Sequence, residues 1–416
     1  MRRLTDMKSL EPLFNDIGNK RIVMLGEASH GTHEYYTWRT AISKKLIEEK
    51  RFNFIAVEGD WPDCYLINRY VKGYKDAGDD IKKILESFDR WPTWMWANWE
   101  IAALAEWLRE YNQSLPLEER VGFYGLDVYS LWDSMKVMLQ YLEKEDGASA
   151  KALKKAILCF EPFHENEQGY ARWSLQEQNC AEEVISLLKE VRMKAQFPDG
   201  DREAGFNAEQ NAWIAVNAEK YYRSMIGFNN DSWNIRDQHM METLERLLNF
   251  HGGTSKGIVW EHNTHIGDAS ATDMLRSGMI NIGYLARKKY DDAIYLVGFG
   301  SYEGTLMAGL EWGAPMREMS MPRARPGSIE HILHYDHGYD CYFLFKEENN
   351  ERFHTYLGHR AIGVVYDPSR EKANYVPSVL AKRYDAFIFL EETKALHPLM
   401  LHPDKDKLPE NYPFGW

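Results

Sequence analysis

Histidine and carboxylate side chains directly follow predicted strands at four places in this sequence. They are Glu27 and His30 after residues 21–26, Glu58 after residues 53–57, Asp127 after residues 121–125, and His262 and His265 after residues 257–260. The carboxyl ends of parallel strands lie along one edge of an open α/β sheet, where such sheets bind ligands. We therefore expect these side chains to share one crevice. Imidazole and carboxylate groups are costly to bury without partners, so their convergence indicates a functional site.

The first of these places is a short turn in which a glutamate and a histidine are three residues apart. Glu27 and His30 are bracketed by Gly26 and Gly31, and glycine permits backbone torsions that other residues resist. Such a turn can aim both side chains into the same space. A carboxylate beside an imidazole fixes its tautomer and stabilises the imidazolium that forms when histidine acts as a general base. Glu58, from a neighbouring predicted strand, is expected to provide the same support.

The second histidine pair, His262 and His265, suggests the complementary role. A positioned imidazole can donate a hydrogen bond to a developing oxyanion or protonate a leaving group. Imidazoles and carboxylates are also the usual ligands of divalent metals, so a metal-dependent hydrolase using the same cluster remains an alternative. A non-catalytic binding or accessory protein that keeps the crevice without turnover is the third interpretation.

Composition restricts the class of protein. The chain has 416 residues with 44% hydrophobic and 27% charged side chains, which is typical of a soluble globular protein. Its net charge of −13 argues against nucleic-acid or anionic-membrane partners. No segment approaches the ~20 apolar residues of a membrane span, and we expect a cytoplasmic protein. The sequence leaves the oligomeric state open.

The four cysteines do not form a recognisable metal or redox motif. They are Cys64, Cys159, Cys180 and Cys341, and no two of them are in a Cys-x-x-Cys pair. We therefore expect reduced thiols in the core.

Strand-like and helical patterns alternate from residue 21 to about residue 145. Only helical patterns continue through the following segment, and strand-like patterns return after residue 256. This order predicts an α/β fold with a largely parallel central sheet, helices on both faces, and a helical insertion over the carboxyl-end rim. We expect residues 1–130 to form the first part of the core, residues 131–255 the insertion, and residues 256–416 the second part.

Six short motifs, in order and spacing, resemble the erythromycin esterase family. They are Leu-Gly-Glu-Ala-Ser-His-Gly at 25–31, Val-Glu-Gly-Asp-Trp at 57–61, Pro-Thr-Trp-Met-Trp at 92–96, Tyr-Gly-Leu-Asp at 124–127, Asn-Ile-Arg-Asp at 234–237, and Trp-Glu-His-Asn-Thr-His at 260–265. The resemblance covers about residues 20–390. It implies a hydrolase in which a histidine activates water against an ester or a macrolide lactone, with no cofactor and at most weak sensitivity to metals.

The resemblance also assigns roles by position. The matched catalytic residues are His30 as the base, Glu27, Glu58 and Arg39 in support, and His262 and His265 as the second histidine pair. Arg39 has an alternative interpretation as a solvated helix residue. Glu261 departs from the resemblance, because relatives usually have a small residue there, and it is expected to add negative charge beside His262.

Substrate binding is expected from residues around this crevice. Arg236 and Asp127 are the polar candidates, although Arg236 and Asp237 can also form a local ion pair, and Asp127 can cap the helix that follows it. Trp94 and Trp96 are expected to form an apolar wall, because small-molecule pockets are lined mostly by apolar and aromatic surface. The expected partner is a bulky, amphipathic small molecule.

Overall fold

The computed structural model describes residues 1–145, 151–163, 166–176, 178–195, 201–226, 230–348 and 350–401. Within them, the strands are β1 (Arg2–Arg3), β2 (Ile22–Leu25), β3 (Phe54–Asp60), β4 (Gly122–Asp127), β5 (Gly257–Trp260), β6 (Ile294–Ala308), β7 (Arg317–Met321), β8 (Cys341–Leu344), β9 (Tyr356–Arg360), β10 (Tyr375–Val379) and β11 (Ala386–Thr393).

The α-helices of the described residues alternate with these strands at both ends of the chain. They are α1 (Glu11–Ile17), α2 (His33–Lys50), α3 (Trp61–Val71), α4 (Ile81–Glu86), α5 (Trp99–Asn112), α6 (Leu131–Glu145), α7 (Lys151–Phe160), α8 (Glu167–Ser174), α9 (Ala181–Ala195), α10 (Arg202–Ser224), α11 (Asp231–His251), α12 (Asn263–Ile266), α13 (Ile282–Tyr290), α14 (Ile329–His337) and α15 (Leu380–Arg383).

One sheet forms the centre of the protein, with strand order β1-β8-β11-β6-β2-β5-β3-β4 and β7 paired to β6. The pairs from β11 through β4 are parallel, whereas β8, β1 and β7 are added antiparallel. The smaller sheet pairs β9 with β10. β5, which follows the insertion, lies between β2 and β3, which precede it. The predicted α/β fold with a largely parallel sheet is confirmed.

Successive side chains along each strand point to opposite faces of the sheet, and a hydrophobic core lies on each face. In β2, Val23 and Leu25 belong to one buried cluster, and Ile22 and Met24 belong to the other. The first cluster includes apolar residues of α2, α3 and α5, and the second includes those of the insertion helices. Strands buried on both faces read as continuous apolar runs, which explains the unbroken Ile-Val-Met-Leu of β2.

The helical insertion packs against one face of the sheet and reaches its rim at the start of α11. Met240 and Leu244 of α11 share a buried cluster with Tyr124 and Leu126 of β4. The boundaries at residues 130 and 255 remain predictions. Among the described residues, no helix has the length and apolar character needed to cross a bilayer.

The cysteine prediction is wrong for two of the four residues. Cys159 at the end of α7 and Cys180 just before α9 form a disulfide, with a Cα–Cα distance of 6.0 Å. The two cysteines are 21 residues apart in the sequence, and the packing of α7 against α9 brings them together. The spacing of the cysteines alone does not reveal this contact. Cys64 and Cys341 are buried free thiols, as expected. The cytoplasmic location remains a prediction.

Candidate active site

The turn after β2 holds a histidine and a glutamate in direct contact. His30 Nδ1 and Glu27 Oε1 are 3.0 Å apart, and both residues are buried. An Nδ1–H donated to Glu27 leaves Nε2 as the basic atom of a neutral imidazole. No hydrogen bond to His30 Nε2 occurs in the described part of the chain. His30 also lines a cavity at the sheet edge. This is the arrangement of a general base with its orienting carboxylate.

Arg39 fixes the other side of the glutamate. Its Nη2 donates to Glu27 Oε2 at 2.6 Å, and its guanidinium lies 4.4 Å from the Tyr36 ring centroid and 4.8 Å from that of Trp260. Arg39 is fully buried, so the alternative interpretation as a solvated helix residue is wrong. The aromatic contacts and the ion pair hold Glu27 in one orientation toward His30.

Glycine is needed in this turn for a different reason from the one expected. Gly26 and Gly31 do not have positive φ angles. A Cβ on Gly26 would lie 2.1 Å from Asn263 Oδ1, and one on Gly31 would lie 1.9 Å from the Met307 carbonyl oxygen. The two glycines therefore allow close approach of α12 and β6 to the turn, which keeps Glu27 and His30 against the sheet edge.

A partly buried arginine links two neighbouring strands at the same edge. Arg236 Nη2 donates to Glu58 Oε1 at 2.7 Å and to Asp127 Oδ2 at 2.6 Å, and its Nε donates to Asp127 Oδ1 at 2.9 Å. Burial opposes ionisation of Glu58, but the Arg236 guanidinium beside it favours the charged form and contributes to holding its pKa well below the usual range. Arg236 is thus held by carboxylates of β3 and β4 rather than by its sequence neighbour Asp237.

His265 is held on both ring nitrogens. Its Nδ1 lies 3.0 Å from both Asp237 carboxylate oxygens, and its Nε2 lies 3.0 Å from Arg236 Nη1. Arginine can only donate, so Nε2 must accept and the proton must lie on Nδ1, which donates to Asp237. The Trp233 ring stacks on the imidazole at 4.5 Å. His265 therefore accepts from Arg236 and helps to orient it.

His262 has the opposite tautomer. Its Nδ1 accepts the Thr264 backbone N–H at 3.3 Å and lies 2.8 Å from the Thr264 hydroxyl. The ring proton is then on Nε2, which is buried without a hydrogen-bond partner among the described residues. Burial, reinforced by the neighbouring His30, lowers the pKa of His262 far below its usual value. His262 is therefore a neutral imidazole with an unused Nε2–H donor. Its ring centroid lies 4.9 Å from that of His30.

A cavity of about 400 Å³ opens on these groups, a volume within the range of small-molecule sites. Its polar floor includes His30, Glu58, Asp127, Arg236, His262 and His265. These six candidates converge as the sequence predicted. Glu27 and Arg39 lie behind the floor and contact it through His30.

The aromatic wall differs in part from the prediction. Trp96 lines the cavity and donates from Nε1 to the Glu58 carbonyl oxygen at 3.1 Å. Trp94 does not line it, because its side chain turns into the core formed by α2, α3 and α5. The wall is completed by Trp91, Trp233 and Trp312, which come from separate segments. Trp312 is two-thirds exposed at the mouth, with its ring 4.6 Å from that of Trp91.

Asp60, the aspartate of the 57–61 motif, and Asp63, which the sequence did not indicate, line the acidic side of the cavity. Asp60 ends β3, and Asp63 lies in the first turn of α3. Burial raises the pKa of Asp60 to about 7, and burial together with the adjacent Asp60 raises that of Asp63 to about 8. Arg90 pairs with Asp60 at 3.3 Å. The Asp-x-x-Asp spacing from the end of β3 into α3 is the signal that could have found Asp63.

Glu261 is sealed from solvent beside His262. Its side chain is fully buried, and neither carboxyl oxygen has a hydrogen-bond partner among the described residues. Burial, reinforced by Glu58, raises the pKa of Glu261 well above its usual value and so disfavours the negative charge expected there.

The fold and the cleft define an α/β protein with a glutamate–histidine site at the carboxyl edge of its sheet. The chain belongs to the erythromycin esterase family, whose model matches residues 47–393 and so begins after the Glu27–His30 turn. Membership supports a hydrolase of that family.

Individual relatives are distant in sequence. The chain is 24% identical over 348 residues to erythromycin esterase type II from Escherichia coli, covering 78% of this chain and 80% of that one. A Bacillus cereus crystal structure superposes with a TM-score of 0.77 at 20% identity, covering 95% and 96% of the two chains. The open conformation of a mutant of the erythromycin esterase EreC gives 0.67 at 15% identity, covering 94% and 97%. These structural likenesses establish the fold.

Proposed function

We propose that this protein hydrolyses a carboxylic ester or lactone with water activated by His30. The observation that carries the proposal is the juxtaposition of a Glu27-oriented imidazole, with its Nε2 free to take a proton, and the unused Nε2–H of His262. One ring is poised to accept a proton, and the other to donate a hydrogen bond. Both line the same cavity, where a carbonyl group can lie beside the two rings.

The chemical steps follow from these two tautomers. His30 Nε2 takes a proton from water as the oxygen attacks the carbonyl carbon, and Glu27 stabilises the imidazolium. The carbonyl oxygen becomes an oxyanion that accepts the Nε2–H of His262. As the tetrahedral intermediate collapses, the ester C–O bond breaks, and the His30 imidazolium returns its proton to the leaving alkoxide.

Arg236 and His265 support this chemistry by position. Arg236 bridges Glu58 and Asp127, and His265 accepts from its third nitrogen, so the guanidinium is held at the cavity floor. Glu58 also accepts the His262 backbone N–H at 2.8 Å, which fixes the start of α12 beside His30. This revises the role expected for His265, because an Nε2 that accepts from arginine has no proton to give to a substrate.

The proposed substrate is bulky and mostly apolar, with room for a cationic group. Four tryptophans border the cavity, and Asp60 and Asp63 lie on one side of it. A macrolide lactone, as in the name of the Escherichia coli relative, is one molecule of this kind. On the floor, Glu58 and Asp127 are paired with Arg236, and His30 is paired with Glu27, which favours the metal-independent mechanism over the metal-dependent alternative.

A hydrolysis screen tests the proposal. Purified protein would be incubated in H₂¹⁸O with macrolides, small esters and acylated sugars, and products would be analysed by mass spectrometry. We expect one ¹⁸O in the carboxylic acid product, no loss of turnover after chelator treatment, and strongly reduced turnover in His30→Asn. Turnover that disappears with the chelator and returns only with added metal would favour the metal-dependent alternative. No turnover of any ester would favour the accessory protein.

A further inference from the structure

A second cluster of histidines and a glutamate lies outside the proposed active site. His33 is the first residue of α2, Glu100 is in the first turn of α5, and His397 follows β11. His33 Nδ1 lies 2.6 Å from Glu100 Oε1, and His397 Nδ1 lies 2.8 Å from the same oxygen. Two imidazoles from distant segments thus each direct Nδ1 toward the same carboxylate oxygen.

Backbone hydrogen bonds hold the three segments in place independently of these side chains. The His33 N–H donates to the Lys394 carbonyl at 2.8 Å, and the Leu396 N–H donates to the Gly31 carbonyl at 3.0 Å. The Trp99 N–H donates to the His397 carbonyl at 3.0 Å. The scaffold of the cluster is therefore preformed, which lowers the ordering cost of binding a ligand there.

The carboxylate of this cluster is incompletely satisfied. Glu100 is 2% exposed, and its Oε2 is buried without a hydrogen-bond partner in the described part of the chain. A buried carboxylate oxygen without a partner is costly, and a cation is the ligand that removes that cost. His33 is 8% exposed, so two of the three groups are shielded from bulk water.

The three groups also have the spacing of a metal site. One ligand atom from each lies within 4.8 Å of the others, and no other group of three or more His, Cys, Asp or Glu in the described residues meets this criterion. Zinc binds imidazole nitrogen and carboxylate oxygen at about 2.0–2.2 Å, so tetrahedral ligands lie roughly 3.3 Å apart. The two Glu100–histidine distances of 2.6 and 2.8 Å reach this spacing if the carboxylate retreats by about 0.5–0.7 Å.

An ion can reach the cluster from two sides. Glu100 borders a cavity of about 490 Å³ between α2 and α5, and the His397 side chain is about one-third exposed. The same opening leaves room for water as a further ligand.

We propose that His33, Glu100 and His397 form a binding site for one divalent transition-metal ion of the zinc type, separate from the catalytic cleft. The ion joins the start of α2, the start of α5 and the segment after β11. Because His33 is three residues after His30, the bound ion stabilises the end of the catalytic turn. This role is structural: the backbone hydrogen bonds described above hold the turn without the ion, so the proposed hydrolysis does not require it.

Metal binding to the full-length, chelator-treated protein tests the proposal without any substrate. Zn²⁺ would be titrated by calorimetry, and Co²⁺ would be titrated by its visible absorption. We expect one equivalent of Zn²⁺ to bind with a rise in thermal midpoint. His397→Ala should weaken binding at least ~10-fold, the lower range for loss of a supporting residue at a metal site. His397→Cys, which restores a ligand as thiolate, should recover it with an altered Co²⁺ spectrum.

Two further variants locate the ion. His354→Ala removes an exposed histidine outside the cluster and should bind as the unmodified protein does. His262→Ala alters the catalytic cleft and should also leave binding unchanged. The proposal is overturned if no Zn²⁺ binds, if a folded His397→Ala binds normally, or if His262→Ala abolishes binding, since the ion would then lie in the cleft.

Discussion

His30 and His262 lie with their ring centroids 4.9 Å apart and their planes tilted by 40°. Burial disfavours protonation of both, yet their pKa values shift in opposite directions. For His30, the Glu58 charge and the Glu27 hydrogen bond outweigh burial, so the pKa is raised. For His262, burial and the adjacent His30 lower the pKa. Opposite shifts in adjacent groups are typical of an acid–base pair with divided roles.

The raised pKa of His30 predicts the pH dependence of hydrolysis. A general base acts only when neutral, so kcat/KM should rise with pH along a limb whose apparent pKa lies above the usual 6.5. Glu58→Gln removes the charge that stabilises the imidazolium and should move this limb to lower pH. Glu118→Gln, at an exposed position, is the matched control. An acidic limb below 6.5 in the unmodified protein would contradict this assignment.

Arg236→Ala should destabilise the protein by about 3–5 kcal/mol, because it leaves Glu58 and Asp127 buried without their cation. Arg109→Ala is the control, since Arg109 pairs with the almost fully exposed Asp79 and should cost only ~0–1 kcal/mol. Urea unfolding measures both differences. Similar losses in the two variants would show that the Arg236 network contributes no more than a surface pair.

The aspartates of the cavity predict a pH-dependent preference for cationic substrates. With pKa values of about 7 for Asp60 and about 8 for Asp63, these two carboxyl groups are protonated at pH 6 and ionised at pH 9, while Arg90 beside them keeps its charge. The kcat/KM ratio of a quaternary ammonium ester to its neutral isostere should rise on the order of tenfold between these values. Taking the ratio cancels the titration of His30. Asp63→Asn should flatten the rise, and a constant ratio in the unmodified protein would refute the preference.

Trp312 and Trp96 should differ in their kinetic effects. Trp312 is exposed at the cavity mouth, so Trp312→Ala should raise KM for a bulky ester by about tenfold and leave a small acetate ester unchanged. Trp96→Ala removes the hydrogen bond to Glu58 and should lower kcat for both esters. Equal effects of Trp312→Ala on KM for the two substrates would contradict a contact between Trp312 and the bulky ester.

The parts of this site that the sequence predicted are those set by the sheet. Apolar runs identify β2, β3, β4 and β5, and parallel pairing then brings the residues after each strand to one edge. The His265 tautomer was not predictable, because it depends on Asp237 and Arg236 of α11, whose orientation is set by packing of the insertion. The same limit applies to Trp312 and Trp91, which meet across 221 residues of chain.

The turnover of His30→Asn measures the central claim most directly. Asparagine retains polarity and approximate size but cannot take a proton, so kcat should fall at least ~10²-fold while the thermal midpoint and circular dichroism stay close to those of the unmodified protein. His354→Asn, at an exposed position, should keep full activity. A correctly folded His30→Asn that turns over the best substrate of the screen at a near-native rate would contradict the assignment of His30 as the base.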